Sequence, residues 1–248
     1  MHGTRRDASF CRNSLIPFAD THDVAILAPS FPAGLDGPLD LDSYKLLRSR
    51  TLKADLVLLD ILRKVANIWP GVDTDKIILH GTSGGAQFVH RFMYIWPERL
   101  YAVALGAPGG TTLLDDQLQW PAGVANVSEV LDCRTVDVAA IRRIGNIMLY
   151  VGKDDTDPPV NEKLRDWMAW NLPTPRHVSK HSQQNRVEDV RTLWEDWQAK
   201  GIAAELVIVP GVAHESMKMV HMLEKWSVKQ LADISVTNYC KSSDILMH

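Results

Sequence analysis

Residues 76–85 read Lys76-Ile77-Ile78-Leu79-His80-Gly81-Thr82-Ser83-Gly84-Gly85, and the chain runs on through Trp96 to Pro97. Lys76 to His80 is a short apolar run of strand length. Gly84 to about Trp96 suits a helix, which Pro97 ends because proline cannot continue the backbone ladder. A strand, a glycine-rich turn and a helix in that order form half of a βαβ unit, and this stretch decides how its neighbours are read.

The same alternation recurs on both sides. Val24-Ala25-Ile26-Leu27-Ala28, stopped by Pro29, is expected to be a buried strand. Residues 51–69 carry Leu52, Leu56, Leu59, Leu62, Val65 and Ala66 at helical spacing and stop before Pro70-Gly71. Further strands are expected at Tyr101 to Leu105, Asn146 to Val151 and Glu205 to Val209. Helices are expected at Val187 to Lys200 and from Glu215 to about Leu231, with a peripheral tail after Ile234. Strands alternating with helices predict the α/β class: a mostly parallel central sheet with helices on both faces.

A length of 248 residues, 46% of them hydrophobic, fits a single domain spanning 1–248 with a sizeable core. Two stretches break the alternation, 111–143 and 171–186. The first contains Trp120-Pro121-Ala122-Gly123 and is expected to form a lid or specificity insertion. Trp120 is the candidate substrate-binding wall.

Charge and composition exclude several functions. The net charge is −3 and no Lys/Arg run stands out, so no nucleic-acid partner is expected. There is no apolar run of membrane-spanning length and no charged-then-apolar leader, so no membrane partner is expected either. Cys11, Cys133 and Cys240 are odd in number and fit no zinc or disulfide spacing. They are read as free thiols of a cytoplasmic protein that needs no metal. The oligomeric state stays open.

The turn at 81–85 has the pattern Gly-x-Ser-x-Gly. Between a strand and a helix, this pattern lifts a serine hydroxyl on a strained turn while the glycines let strand and helix approach. Ser83 is the candidate nucleophile. The N–H of Gly84, at the positive end of the helix, is a candidate donor to a developing oxyanion. A hydroxyl nucleophile needs a base, and the base needs a carboxylate to orient it. His214, in the turn Gly211-Val212-Ala213-His214-Glu215 after the last strand, is the candidate base, ahead of His221 and His177. His80 is expected to point into the core. The acid lies in Gly152-Lys153-Asp154-Asp155-Thr156-Asp157, with Asp155 preferred and Asp157 second.

In these residues the chain resembles the α/β-hydrolase superfamily, in a branch similar to esterases of the polyhydroxyalkanoate-depolymerase and feruloyl-esterase kind. The resemblance rests on His2-Gly3, Ala28-Pro29 through Phe31-Pro32, the Ser83 turn, the Gly152 to Asp155 turn and the Gly211 to His214 turn. It implies a Ser83–Asp155–His214 triad, oxyanion donors at Gly84 and Thr4, no cofactor, and a small-molecule ester as substrate. A peptidase, thioesterase or carbon–carbon hydrolase on the same triad, or a non-catalytic binding protein of this fold, are the other readings. The resemblance also implies a strand before the His2-Gly3 loop, lying between the Val24 and Lys76 strands. That strand would lie before Met1, so the fold is expected to be N-terminally incomplete here: the sequence is truncated, the sheet closes differently, or another segment fills the gap. A gap is expected in mid-sheet, with weak stability and weak activity. If the two flanking strands pair directly, the His2-Gly3 loop is expected to lose its anchor.

Overall fold

A computed structural model of the chain describes residues 1–37, 40–156 and 185–245. Its centre is one sheet of four strands: β1 (Ile77–Thr82), β2 (Leu100–Gly106), β3 (Ile147–Gly152) and β4 (Glu205–Val209). They lie in sequence order, and every neighbouring pair is parallel. Four of the five expected strands are therefore present.

Parallel strands need long crossovers, which helices supply. Ala8–Asn13 is α1, Ile16–His22 is α2, Ala54–Ile68 is α3 and Gly84–Ile95 is α4. The short helices Val127–Val130 and Val138–Arg142 are α5 and α6, Arg186–Ala199 is α7 and Val220–Ile245 is α8. The last helix runs well past the expected end at Leu231. Neither α1 nor α2 was expected from the sequence. Both have local causes: the Asp7 carboxylate accepts from the Phe10 N–H at 2.7 Å, and Pro17 sits in the first turn of α2.

Both faces of the sheet are covered, because successive side chains on a strand point opposite ways. Val103 and Leu105 of β2, and Leu149 and Val151 of β3, join a core with Phe88, Val89 and Phe92 of α4 and Val190, Leu193 and Trp197 of α7. Their alternates Ala102, Ala104, Met148 and Tyr150 face a second cluster with Leu223 and Trp226 of α8. The stretch 111–143 belongs to the first core through Leu114, Val127, Leu131 and Ile141.

Two expectations are corrected. Residues 24–28 are not a strand: the run belongs to no ladder, and Leu27 is 40% exposed. Apolar residues alone do not make a strand without a partner for the backbone groups. With no strand there, the expected mid-sheet gap does not arise. Among the described residues β1 is an edge of the sheet, and the Met1 amino group donates to its His80 carbonyl. The buried face of α3 also differs from the expected stripe. Ala54, Asp55, Leu58 and Leu62 are buried, whereas Leu56 is exposed. Asp55 has displaced the stripe, because Arg48 and the Trp96 indole N–H both reach its carboxylate from the protein interior.

Candidate active site

Ser83 sits between β1 and α4 with φ +57° and ψ −118°. A non-glycine residue in this region is strained and persists only where its surroundings hold it. The hold is visible: the Ser83 N–H donates to the Gly106 carbonyl at 2.8 Å. Gly81 is required by close approach, since a Cβ there would stand 2.5 Å from the Gly85 backbone carbon. The turn can be this tight only without that side chain.

The acid and base turns are stitched together at the ends of β3 and β4. The Lys153 N–H donates to the Val209 carbonyl at 2.8 Å, and the Asp154 N–H to the Val212 carbonyl at 2.9 Å. A Cβ on Gly152 would stand 2.2 Å from the Val212 oxygen, so the two turns touch through backbone. This contact delivers Asp155 to His214, with Asp155 Oδ2 2.6 Å from His214 Nδ1. Asp155 Oδ1 lies 2.8 Å from Arg186 Nη1. Asp155 is 2% exposed. Burial by itself would raise its carboxyl, but the His214 hydrogen bond and the charges of His214 and Arg186 outweigh it and hold the group below the usual carboxylate value.

Asp154, one residue earlier, is exposed. Asp157 and His177 lie outside the described residues, as does 171–186 up to residue 184. His221 is paired on the surface with Glu224 at 3.6 Å, away from Asp155. His80, expected to point into the core, is instead half-buried and lines the cavity that Ser83 and His214 share, with the Tyr150 hydroxyl 2.6 Å from its Nε2. Burial first, then the Met1 ammonium charge, push the His80 imidazole down to about 3, so it is neutral at ordinary pH.

The His2-Gly3 loop is anchored; the loss expected from direct pairing of the Val24 and Lys76 strands does not arise, because 24–28 forms no strand. The Phe31 N–H donates to His2 Nε2 at 3.0 Å, which leaves Nδ1–H to donate to the Gly3 carbonyl at 2.9 Å. The Tyr44 hydroxyl donates to the His2 carbonyl at 3.0 Å. These contacts bring Thr4 to the head of α4, where its amide nitrogen is 3.0 Å from the place a Gly84 Cβ would occupy. The two candidate oxyanion donors are neighbours.

A cavity of about 630 Å³ is lined by Ser83, His214 and Thr4 together. Much of its wall is apolar and comes from α1, the turn after it and the start of α8, including Phe10, Leu15, Val220 and Leu223. The sequence reading missed this wall; the Asp7 cap three residues before Phe10 was the available signal. No residue of 111–143 lines the cavity. Trp120 stands elsewhere, its indole N–H donating to the Leu46 carbonyl at 3.2 Å and its ring 5.8 Å from the Arg91 guanidinium. It pins the 111–123 loop to α4, where Arg91 also donates to Thr112 Oγ1 at 2.8 Å. Arg186 is a second residue the sequence reading missed.

Among solved structures, the chain is similar to the LpqC poly(3-hydroxybutyrate) depolymerase from Bordetella parapertussis. The TM-score is 0.65 at 22% identity, over 90% of this chain and 75% of that one. It is similar to poly(aspartic acid) hydrolase-1 from Sphingomonas sp. KT-1, with TM-score 0.68 and 22% identity over 90% of this chain and 84% of that one. This is the α/β-hydrolase fold. A third α/β-hydrolase, an S-formylglutathione hydrolase from Agrobacterium tumefaciens, matches at TM-score 0.54 and 14% identity, over 94% of this chain and 81% of that one. No family model and no curated protein matches the sequence. In the α/β-hydrolase frame, Ser83 occupies the strand-to-helix turn, and Asp155 and His214 follow β3 and β4 in that order.

Among the described residues no helix is long and apolar enough to cross a membrane. Cys11 and Cys133 are free thiols.

Proposed function

We propose that the chain is a serine hydrolase acting on carboxylic esters, with Ser83 as nucleophile, His214 as base and Asp155 as the carboxylate that orients it. One observation carries this reading: His214 is hydrogen-bonded to buried Asp155 and lines the same cavity as Ser83. With Nδ1–H donated to Asp155, Nε2 is the unprotonated nitrogen of the neutral ring and can accept a proton.

His214 Nε2 takes the Ser83 hydroxyl proton as Oγ forms a bond to the acyl carbon. The carbonyl oxygen becomes an oxyanion, which the Gly84 and Thr4 amides stabilise. Collapse breaks the bond to the alcohol oxygen, and His214 returns the proton to that oxygen. Water then attacks the acyl-enzyme by the same route, releasing the acid and restoring Ser83. No cofactor takes part in this scheme. The poly(3-hydroxybutyrate) named for a neighbour of TM-score 0.65 is a polyester and supports the ester reading. The poly(aspartic acid) named for a neighbour of TM-score 0.68 is a polyamide and makes amide hydrolysis on the same residues the second reading.

Turnover of small chromogenic esters tests the reading. Ser83→Ala and His214→Ala should each lose several orders of magnitude in kcat, since members of such a unit fail together. Unchanged turnover in either folded variant would overturn it.

A further inference from the structure

We infer that Arg186 is a positioning residue of this site: its guanidinium holds the outer oxygen of Asp155 so that the inner oxygen is presented to Nδ1 of His214. The inference rests on the serine-hydrolase reading above.

A carboxylate has two oxygens and a soft terminal torsion, so one hydrogen bond leaves it able to rock. Asp155 has a partner on each oxygen: His214 Nδ1 at 2.6 Å and Arg186 Nη1 at 2.8 Å. Two opposed contacts fix the carboxyl plane. The Arg186 side chain is 12% exposed and that of Asp155 1%, so water competes little for either contact.

Arg186 is itself held. It is the first residue of α7, and the Asn185 side chain caps that helix by accepting from the Glu188 N–H at 3.0 Å. The cation also offsets the cost of keeping a buried carboxylate ionised, which an imidazole can do only while protonated.

Arg186 does not line the cavity, whereas His214 and Ser83 do. Its influence on the reaction therefore passes through Asp155 and His214. It should appear in kcat and leave substrate binding alone.

A double-mutant cycle on the full chain tests this, with ester turnover, labelling by a fluorophosphonate probe and melting temperature measured for each variant. Arg186→Met should lower kcat on the order of 10- to 100-fold, the scale on which small misplacements of catalytic groups are felt, with KM changed by no more than about twofold. Arg186→Lys should recover part of the loss, because it keeps the charge without the planar fork. In an Asp155→Asn background, Arg186→Met should change kcat or labelling rate by less than about twofold, since its target is already removed. If Arg186→Met does not fold, Arg186→Lys and Arg186→Gln carry the same comparison.

Equal factors in both backgrounds, or a rise in KM at constant kcat, would overturn the positioning role. A folded wild type that neither turns over esters nor takes the probe would overturn the hydrolase reading instead. An active, labelled wild type with an unaffected Arg186→Met would overturn this inference alone.

Discussion

His214 Nδ1 and Asp155 Oδ2 lie 2.6 Å apart, although 59 residues separate them in the chain. Strand order creates the proximity: β3 and β4 are parallel neighbours, so the turns that follow them leave from the same end of the strands. Backbone hydrogen bonds between those turns then set the distance. Position in the fold thus distinguishes buried Asp155 from the exposed Asp154 beside it in sequence.

That distinction makes a direct prediction. Asp155→Asn should cut kcat by several orders of magnitude, because the amide favours the wrong imidazole tautomer and cannot stabilise the imidazolium. Asp154 is exposed, and Asp154→Asn should change kcat by less than about threefold, as expected of a surface substitution. Steady-state kinetics on the two variants checks both outcomes.

Asp189, on α7 one turn beyond Arg186, is 3% exposed, and its Oδ2 has no hydrogen-bond partner among the described residues. Burial raises its carboxyl to about 7, against the pull of the Arg186 charge. An unfolded aspartate loses its proton near 4, so between about pH 4 and 7 the folded state holds a proton that the unfolded state has lost. The stability contributed by protonated Asp189 is complete below pH 4 and is lost as pH rises through 7. Asp189→Asn should therefore raise the melting temperature at pH 8 and leave it unchanged at pH 4. After allowance for solvent screening, the gain at pH 8 is on the order of 1–2 kcal/mol. Thermal melts of both proteins across that range decide it.

Much of the fold was legible because parallel strands buried on both faces leave apolar runs, and helices leave periodic stripes. The site turns were legible for the same reason, since glycines and acids cluster where strands end. Residues 24–28 misled because an apolar run records burial tendency and says nothing of a pairing partner. Trp120 misled because a residue that fills a cavity wall and one that anchors a loop have the same side chain. Arg186 was hidden because its partner is 31 residues away, and no local pattern marks a long-range ion pair. The wall supplied by α1 and the turn after it was hidden because a short helix carries little periodic signal.

The placement of Trp120 and Leu15 predicts opposite phenotypes. Trp120→Ala should lower stability by on the order of 1–3 kcal/mol, through the lost Leu46 hydrogen bond and Arg91 contact, and leave acyl-length preference unchanged. Leu15 lines the cavity, and Leu15→Trp should narrow it and disfavour longer acyl chains by roughly 10-fold or more relative to acetyl. Relative kcat/KM across esters of graded acyl length, measured beside melting temperature, separates the two roles.

The most direct test of the central claim is fluorophosphonate labelling of the full chain, followed by mass spectrometry of the peptide that carries the adduct. The account predicts a single stoichiometric adduct on Ser83, slowed by several orders of magnitude in His214→Ala and absent in Ser83→Ala. Folded wild-type protein that takes no probe, or takes it on a serine other than Ser83, would contradict it.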